Sequence, residues 1–272
     1  MRFITLILAF MCMSVFLVSC ASSEDETAIE QDADTLYANA AAALDEKSYL
    51  EATKLFEEVE RQHPYSKWAT QAQLMSAYSS YKDQRYDEAI LALERFIQLH
   101  PGNDDVDYAY YLKALCFYEQ ISDVSRDQQM TKEALDNLEA IIRRFPDSEY
   151  ARDARLKRDL TLDHLAGKEM EVGRYYLKRG EVNAAINRFL VVVKEYQTTT
   201  HIAEALHRLV ESYLSIGLKQ EAVRVAAVLG YNYPGSKWYE RSFQLLDPES
   251  RAKLESERGW FDRTIDSLLK PK

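Results

Sequence analysis

The sequence predicts an all-α protein, built as a superhelical stack of about five helix pairs. Three observations predict this fold: a spacing that recurs along the chain, an apolar pattern inside each copy, and a composition poor in turn residues. The spacing is an alanine followed twelve residues later by a proline, and it occurs four times. The four intervals run from Ala52 to Pro64, Ala89 to Pro101, Ala134 to Pro146 and Ala222 to Pro234.

Apolar residues stand four and seven positions after each of these alanines. They are Phe56 and Val59, Leu93 and Phe96, Leu138 and Ile141, and Ala226 and Leu229. A fifth copy has Ala185, Phe189 and Val192, with Gln197 at the proline position. Residues at offsets of zero, four and seven share one face of a helix, and a proline ends the helix about one turn later. Each copy is therefore predicted to be one amphipathic helix.

This spacing resembles the second helix of a tetratricopeptide repeat, a helix pair of about 34 residues. The copies here lie 37, 45, 51 and 37 residues apart, so the middle two units carry insertions. Gly180 and Gly217 each precede the repeat alanine by five residues. We expect them at the turn between the two helices, where a left-handed backbone conformation is cheapest for glycine.

The composition supports a helical fold and argues against several functions. The 272 residues are 47% hydrophobic and include only eight glycines and six prolines. The formal net charge of −10 makes nucleic acid an unsuitable partner, because such binding depends on clustered Lys and Arg. No catalytic motif, phosphate-binding loop or zinc-ligand spacing is present, so we expect neither an enzyme, nor a cofactor, nor a metal site.

The first 19 residues are predicted to be a lipoprotein signal peptide. One basic residue, Arg2, precedes a short uncharged run that ends in Leu17-Val18-Ser19-Cys20. This tetrapeptide resembles a bacterial lipobox, which implies cleavage before Cys20 and acylation of that cysteine. Several acyl chains anchor a protein durably to a bilayer. The expected location is the periplasmic leaflet of the outer membrane, and residues 20–32 form the acylated cysteine and an acidic tether.

Only Cys116 remains in the folded part, since Cys12 leaves with the signal peptide and Cys20 is lipidated. A single cysteine forms no internal disulfide. Because Cys116 lies in an apolar run, we expect a small core residue and not a reactive thiol.

The folded part is predicted to consist of two halves. Residues 33–147 hold repeats one to three, and residues 148–247 hold repeats four and five. A long charged helix over residues 149–166 connects them as a hinge or a strut, and the inserted loop 122–129 is expected to leave the stack. A final helix within residues 248–272 either caps the last repeat or docks a partner.

The first helices of a repeat stack provide the default ligand surface. Aligning the repeats on their small residues places six tyrosines at groove positions: Tyr37, Tyr78, Tyr81, Tyr108, Tyr111 and Tyr118. Tyrosine combines a large apolar face with a hydroxyl and little rotamer entropy, which suits it to gripping an extended peptide. We expect about half of the six to line the groove, and the others to pack between helices.

Three segments carry a closer resemblance. They are His-Pro-Tyr-Ser-Lys-Trp-Ala-Thr-Gln-Ala-Gln-Leu (63–74), Arg-Phe-Ile-Gln-Leu-His-Pro (95–101) and Val-Asp-Tyr-Ala-Tyr-Tyr-Leu-Lys-Ala-Leu (106–115). Together with five repeats and a lipobox, they resemble the BamD/ComL lipoproteins of the outer-membrane β-barrel assembly machine. The resemblance is strongest over residues 60–160 and weaker after residue 200.

The resemblance implies a scaffold that binds the POTRA domains of BamA and receives unfolded outer-membrane proteins. Carried over by residue, the substrate site falls on Tyr65, Tyr78, Tyr81, Tyr108 and Tyr111. The contact to BamA falls on Asn187 and Arg188, although from the residues alone Arg188 is a plain solvated charge. Accessory lipoproteins of the machine are further candidate partners. The alternative is a repeat lipoprotein that coordinates cell-wall enzymes during division.

Overall fold

The computed structural model describes residues 31–252, 254 and 255. The predicted signal peptide, Cys20 and most of the predicted C-terminal helix therefore lie outside the described residues. The described part contains helices and no strand. Its helices are Ala33–Asp45 (α1), Tyr49–Gln62 (α2), Lys67–Lys82 (α3), Tyr86–Leu99 (α4), Val106–Tyr118 (α5), Gln129–Arg144 (α6), Glu149–Lys178 (α7), Val182–Glu195 (α8), Ile202–Ser215 (α9), Lys219–Asn232 (α10) and Lys237–Leu245 (α11). Residues 248–252 are also helical.

Each helix from α1 to α10 packs against the next one in the chain, which gives five helix pairs in series. The first helices of successive pairs also touch, since α1 contacts α3, α3 contacts α5 and α5 contacts α7. Helix α11 covers the last pair by packing on α9 and α10. Helix pairs that contact only their neighbours define a repeat stack, so the predicted tetratricopeptide architecture is confirmed.

The repeating apolar residues form the core of the stack. The repeat alanine and the residues four and seven positions after it are buried in all five copies, and none of these side chains is more than 1% exposed. The second helices α2, α4, α6, α8 and α10 each end ten residues after the repeat alanine. Helix α8 ends there too, although it has Gln197 in place of the proline.

The turns inside four of the pairs share one backbone conformation. Gly180 and Gly217 have positive φ angles of 78° and 80°, as predicted. The equivalent residues of the first two pairs are Lys47 and Gln84, with φ of 63° and 60°. After Gln84, the amide of Arg85 donates to the carbonyl of Ser80 at 2.9 Å, which closes a Schellman turn.

Helix α7 is continuous from Glu149 to Lys178 and is 30 residues long. The charged segment 149–166 is therefore not a separate helix but the first half of the first helix of the fourth pair. Two glycines, Gly167 and Gly173, are buried within it. A single helix thus connects the third pair to the fourth.

The inserted loop before α6 does not leave the stack, so that prediction is wrong. The side-chain amide of Gln128 donates to the carbonyl of Arg126 at 3.1 Å, and the ammonium of Lys168 on α7 donates to the carbonyl of Ser125 at 2.8 Å. The loop satisfies its own carbonyls in this way and folds back onto α7. Across the described residues, no helix has the length and apolarity needed to cross a membrane.

Candidate functional site

Tyrosines from three first helices lie together, and we call this group the tyrosine cluster. Its members are Tyr78 and Tyr81 on α3, Tyr108 and Tyr111 on α5, and Tyr150 at the start of α7. The ring of Tyr150 lies 5.2 Å from the rings of Tyr108 and Tyr111, and it stacks on Tyr111 at 21°. Tyr108 is near enough to Tyr78 and Tyr81 to interact with them electrostatically. Every ring is half-buried, so the cluster offers partly exposed aromatic surface.

A polar network holds one side of the tyrosine cluster in place. The hydroxyl of Tyr111 donates to the Asp153 carboxylate on α7 at 2.5 Å. The ammonium of Lys157 pairs with the same carboxylate at 2.9 Å and lies 5.4 Å from the ring centre of Tyr118. These contacts join α5 to α7 and fix the rotamers of Tyr111 and Tyr118. A surface ordered before binding loses less entropy when a ligand arrives.

Burial favours the neutral form of three tyrosines of the cluster. Burial raises the pKa of Tyr81 to about 12 and also raises the pKa of Tyr108. Burial raises the pKa of Tyr111 as well, and the hydrogen bond to Asp153 adds to the effect. These three hydroxyls therefore stay protonated; the Tyr111 proton is engaged by Asp153, while those of Tyr81 and Tyr108 can be donated to a ligand. One cation lies beside the cluster: the ammonium of Lys82 is 6.0 Å from the ring centre of Tyr78.

The remaining predicted tyrosines lie elsewhere or pack between helices. Tyr65 is 100% exposed in the turn before α3, and the first residue of that helix, Lys67, already lies roughly 17 Å along it from Tyr78 at 1.5 Å per residue. Tyr37 stacks on Trp68, with ring centres 4.4 Å apart. Four of the five residues carried over by resemblance thus come together, and Tyr65 stays apart from them.

The prediction missed Tyr150, which belongs to α7 and not to the helices that were aligned. A signal for it is present in the sequence. Serine stands two residues after three of the repeat prolines, and an aromatic residue stands four after: Ser66 and Trp68, Ser148 and Tyr150, Ser236 and Trp238. In each case the aromatic ring packs against a ring of the preceding first helix, on Tyr37, Tyr111 and His207 respectively. This short pattern marks residues that bridge successive repeats.

The two predicted docking residues lie on α8. This is the second helix of the fourth pair, whereas the tyrosine cluster lies on first helices. Asn187 is exposed. The guanidinium of Arg188 pairs with the carboxylate of Glu169 on α7 at 3.1 Å. Arg188 is therefore not the free solvated charge that residue-level reasoning favoured. Glu169 also lines a surface cleft between α7 and the inserted loop, beside Lys168 and Arg126.

The one cysteine of the described part is a core residue, as predicted. Cys116 is fully buried and free, and burial raises the pKa of its thiol to about 12. Such a thiol is protonated at neutral pH and unreactive. Within the described residues, no group of three or more His, Cys, Asp or Glu side chains is placed to hold a metal ion.

Five stacked helix pairs, with an aromatic cluster on their first helices, define a tetratricopeptide-repeat protein. Residues 29–229 match the family model YfiO, described as outer membrane lipoprotein. The chain belongs to this family. Helix α11 lies beyond the matched residues.

Two relatives named outer membrane protein assembly factor BamD illustrate the similarity. The protein of Caulobacter vibrioides is 48% identical over 243 residues, covering 88% of this chain and 80% of the relative. That of Rickettsia prowazekii is 47% identical over 246 residues, covering 90% and 98%. Among solved structures, a thermophilic tetratricopeptide protein of Thermus thermophilus is 19% identical, with a TM-score of 0.37 and coverage of 83% and 98%.

Proposed function

We propose that this protein is a non-enzymatic scaffold of the machinery that inserts β-barrel proteins into the outer membrane. Family membership carries the proposal, because relatives 47% and 48% identical over most of the chain are named assembly factor BamD. The predicted lipobox supports it as well, since acylation of Cys20 would hold the repeat stack at the periplasmic leaflet of that membrane.

Unfolded outer-membrane proteins would bind at the tyrosine cluster. A strand destined for a barrel alternates apolar and polar side chains, and it exposes backbone amides until it is inserted. The tyrosine cluster suits both kinds of group. Its half-buried rings offer apolar faces to the apolar side chains of the strand, and its hydroxyls offer hydrogen bonds to the exposed backbone amides. Tyr65 would act as a separate contact near the start of α3.

BamA would dock through its POTRA domains at Asn187 and Arg188. In the free chain the Arg188 guanidinium is already bonded to a carboxylate, that of Glu169. A carboxylate of the partner would therefore have to replace Glu169. The side chain of Arg188 is 44% exposed, which leaves room for such an exchange. Accessory lipoproteins of the same machine remain candidate partners.

Depletion of the protein in its native organism tests the general function. The amount of folded barrel protein in the outer membrane is expected to fall, as measured by heat-modifiable migration on gels. Unchanged barrel levels, together with a defect in cell-wall synthesis or division, would contradict the proposal and favour the cell-wall alternative.

The docking contact is tested by three variants of the full mature chain. Arg188→Glu is expected to weaken binding of the purified BamA periplasmic region at least about tenfold, because the new carboxylate would face the carboxylate of the partner. Glu169→Gln is expected to strengthen binding by up to about fivefold, since Arg188 loses its internal partner. Arg224→Glu is the control, as Arg224 is an exposed arginine on the second helix α10. Equal binding by all three would show that Arg188 does not contact BamA.

A further inference from the structure

One tryptophan beyond the family-matched residues is surrounded by positive charge. Trp238, on α11, has three cationic side chains near its ring. The charged groups of Lys237 and Arg241 each lie 5.1 Å from the ring centre, and that of Arg208 on α9 lies 5.7 Å away. This concentration of cations stands out in a chain of net charge −10.

The three cations differ in how they are compensated. Arg208 pairs with Glu211 at 2.7 Å and with Glu204 at 3.3 Å, so its charge is balanced within the protein. Lys237 and Arg241 are exposed and form no ion pair with any described residue. The described residues thus leave these two charges uncompensated.

The floor of this site is a buried histidine. The imidazole of His207 packs on Trp238 with ring centres 5.2 Å apart, and its Nδ1 lies 2.8 Å from the hydroxyl of Ser242. His207 is only 3% exposed, and burial lowers its pKa. The ring is therefore neutral at pH 7 and adds no further charge. The Trp238 ring thus packs on a neutral imidazole on one side, with the cations around it.

The equivalent tryptophan of the first repeats shows which ligand such a site takes. Trp68 also follows a serine and a lysine, and the ammonium of Lys67 lies 4.8 Å from its ring centre. There the carboxylate of Asp34 accepts from the Trp68 indole N–H at 2.5 Å and pairs with Lys67 at 3.3 Å. The protein thus places its own carboxylate between a lysine and an indole N–H.

That carboxylate has no counterpart at Trp238. The residue three before His207 is Glu204, just as Asp34 is three before Tyr37, but Glu204 bonds to Arg174 and Arg208 instead. In the described part of the chain, the Trp238 indole N–H has no hydrogen-bond acceptor. A donor and two cations remain where Trp68 has a filled site.

We infer that Trp238, Lys237 and Arg241 form a binding site for an acidic segment of a partner protein. One carboxylate of that segment lies between the Lys237 ammonium and the indole N–H, in the position that Asp34 occupies at Trp68. A second carboxylate pairs with Arg241, and the intervening chain packs on the Trp238 ring. The site lies beyond residues 29–229, so it adds a contact that the family-matched part does not contain.

The test is a nuclear magnetic resonance titration of the full mature chain, whose three tryptophans give separate indole N–H signals. The probe is the acetylated, amidated tetrapeptide Asp-Glu-Asp-Glu. The Trp238 signal is expected to shift with saturation at roughly millimolar concentration, typical of a short peptide held by two charges. The Trp68 signal is expected to stay in place, because Asp34 already fills that site.

Two controls separate this site from general charge attraction. The double variant Lys237→Gln, Arg241→Gln should weaken binding about tenfold, and its unchanged Trp68 signal shows that it is folded. The amide tetrapeptide Asn-Gln-Asn-Gln should cause no shift. Equal shifts at Trp68 and Trp238, or no shift with the acidic peptide, would overturn the inference. So would a Trp238 shift caused by phosphatidylglycerol vesicles and not by the peptide, which would mark a lipid-binding surface.

Discussion

Asp153 is a titratable carboxyl that is hydrogen-bonded to the tyrosine cluster. The hydrogen bond from Tyr111 is the main cause that lowers the pKa of this carboxyl, and Lys157 lowers it further. A lowered pKa means that the folded state favours the ionised form. The stabilisation is therefore present above the ordinary pKa of aspartate and is lost as pH falls through the lower value of the folded state.

Tyr111→Phe is expected to raise the pKa of Asp153 and to lower the free energy of unfolding by about 1 kcal/mol at pH 7, because one hydrogen bond to a charged group is lost. The phenylalanine ring retains the stacking on Tyr150. Carboxyl carbon shifts followed against pH measure the pKa. Tyr110→Phe is the control, since the Tyr110 hydroxyl accepts from Arg144 and not from Asp153. A pKa that does not move would mean that the Tyr111 bond is not formed in solution.

At the scale of elements, two of the turns within pairs have a residue other than glycine in the left-handed backbone conformation, which is strained. Gln84 has a φ of 60°, a conformation that costs a residue with a Cβ roughly 1–2 kcal/mol. Gln84→Gly is expected to raise the free energy of unfolding by roughly 1 kcal/mol. Urea denaturation followed by circular dichroism measures it.

The matched control for Gln84→Gly is Gly217→Ala, at the equivalent turn of the fifth pair. A Cβ at Gly217 would meet no atom within 4 Å, so only the backbone conformation is affected. A loss of about 1 kcal/mol is expected there. If Gln84→Gly lowered the free energy of unfolding, the contacts of the glutamine side chain would stabilise the fold by more than the backbone strain at φ 60° destabilises it.

Helix α7 contains two glycines with different roles. A Cβ at Gly173 would lie 2.4 Å from Cε1 of the fully buried Phe189 on α8, so the missing side chain allows the two helices to approach. Gly173→Ala is expected to destabilise the protein by about 1–3 kcal/mol through overpacking. At Gly167 the nearest atom is Nε2 of His201, at 3.2 Å and at the end of a movable side chain.

Gly167→Ala is the control on the same helix. Its change in the free energy of unfolding should stay within about 1 kcal/mol, because the higher helix propensity of alanine offsets the tight contact with His201. Thermal and urea unfolding of both variants give the comparison. If the two substitutions cost the same, close packing of α7 on α8 is not the reason for Gly173.

At the scale of the whole molecule, the predicted lipid anchor at Cys20 would attach the repeat stack to the membrane. Cys20→Ser is expected to release the protein from the membrane fraction into the soluble periplasmic fraction and to abolish palmitate labelling. Cys116→Ala is the control, because Cys116 is buried in the stack. Labelling that persists in Cys20→Ser would contradict lipidation at this cysteine.

The prediction of the fold succeeded because its signals are local. The positions that repeat at zero, four and seven describe the face of one helix, and the glycine turns describe one backbone angle. Helix ends were predicted from prolines, but α8 ends at the same point with Gln197. A proline is therefore not required for the helix to end at this position.

The candidate site was predicted in part. Alignment of repeats identified Tyr78, Tyr81, Tyr108 and Tyr111, because equivalent positions of parallel first helices face the same side. It missed Tyr150, since the insertions before α7 disturb the register from which positions were counted. The partner of Arg188, Glu169, lies 19 residues earlier on another helix and has no local signature.

The sequence by itself thus determined that this protein is a stack of helix pairs with tyrosines on its first helices, because period and turn are properties of neighbouring residues; it also contains a tetrapeptide that resembles a lipobox. Only the tertiary structure decided that α7 runs unbroken between two pairs and that the inserted loop returns to it. It also decided which charges are compensated: Arg188 by Glu169, Lys67 by Asp34, and Lys237 and Arg241 by no described residue. Such pairings depend on distances between helices, which packing sets and sequence spacing does not.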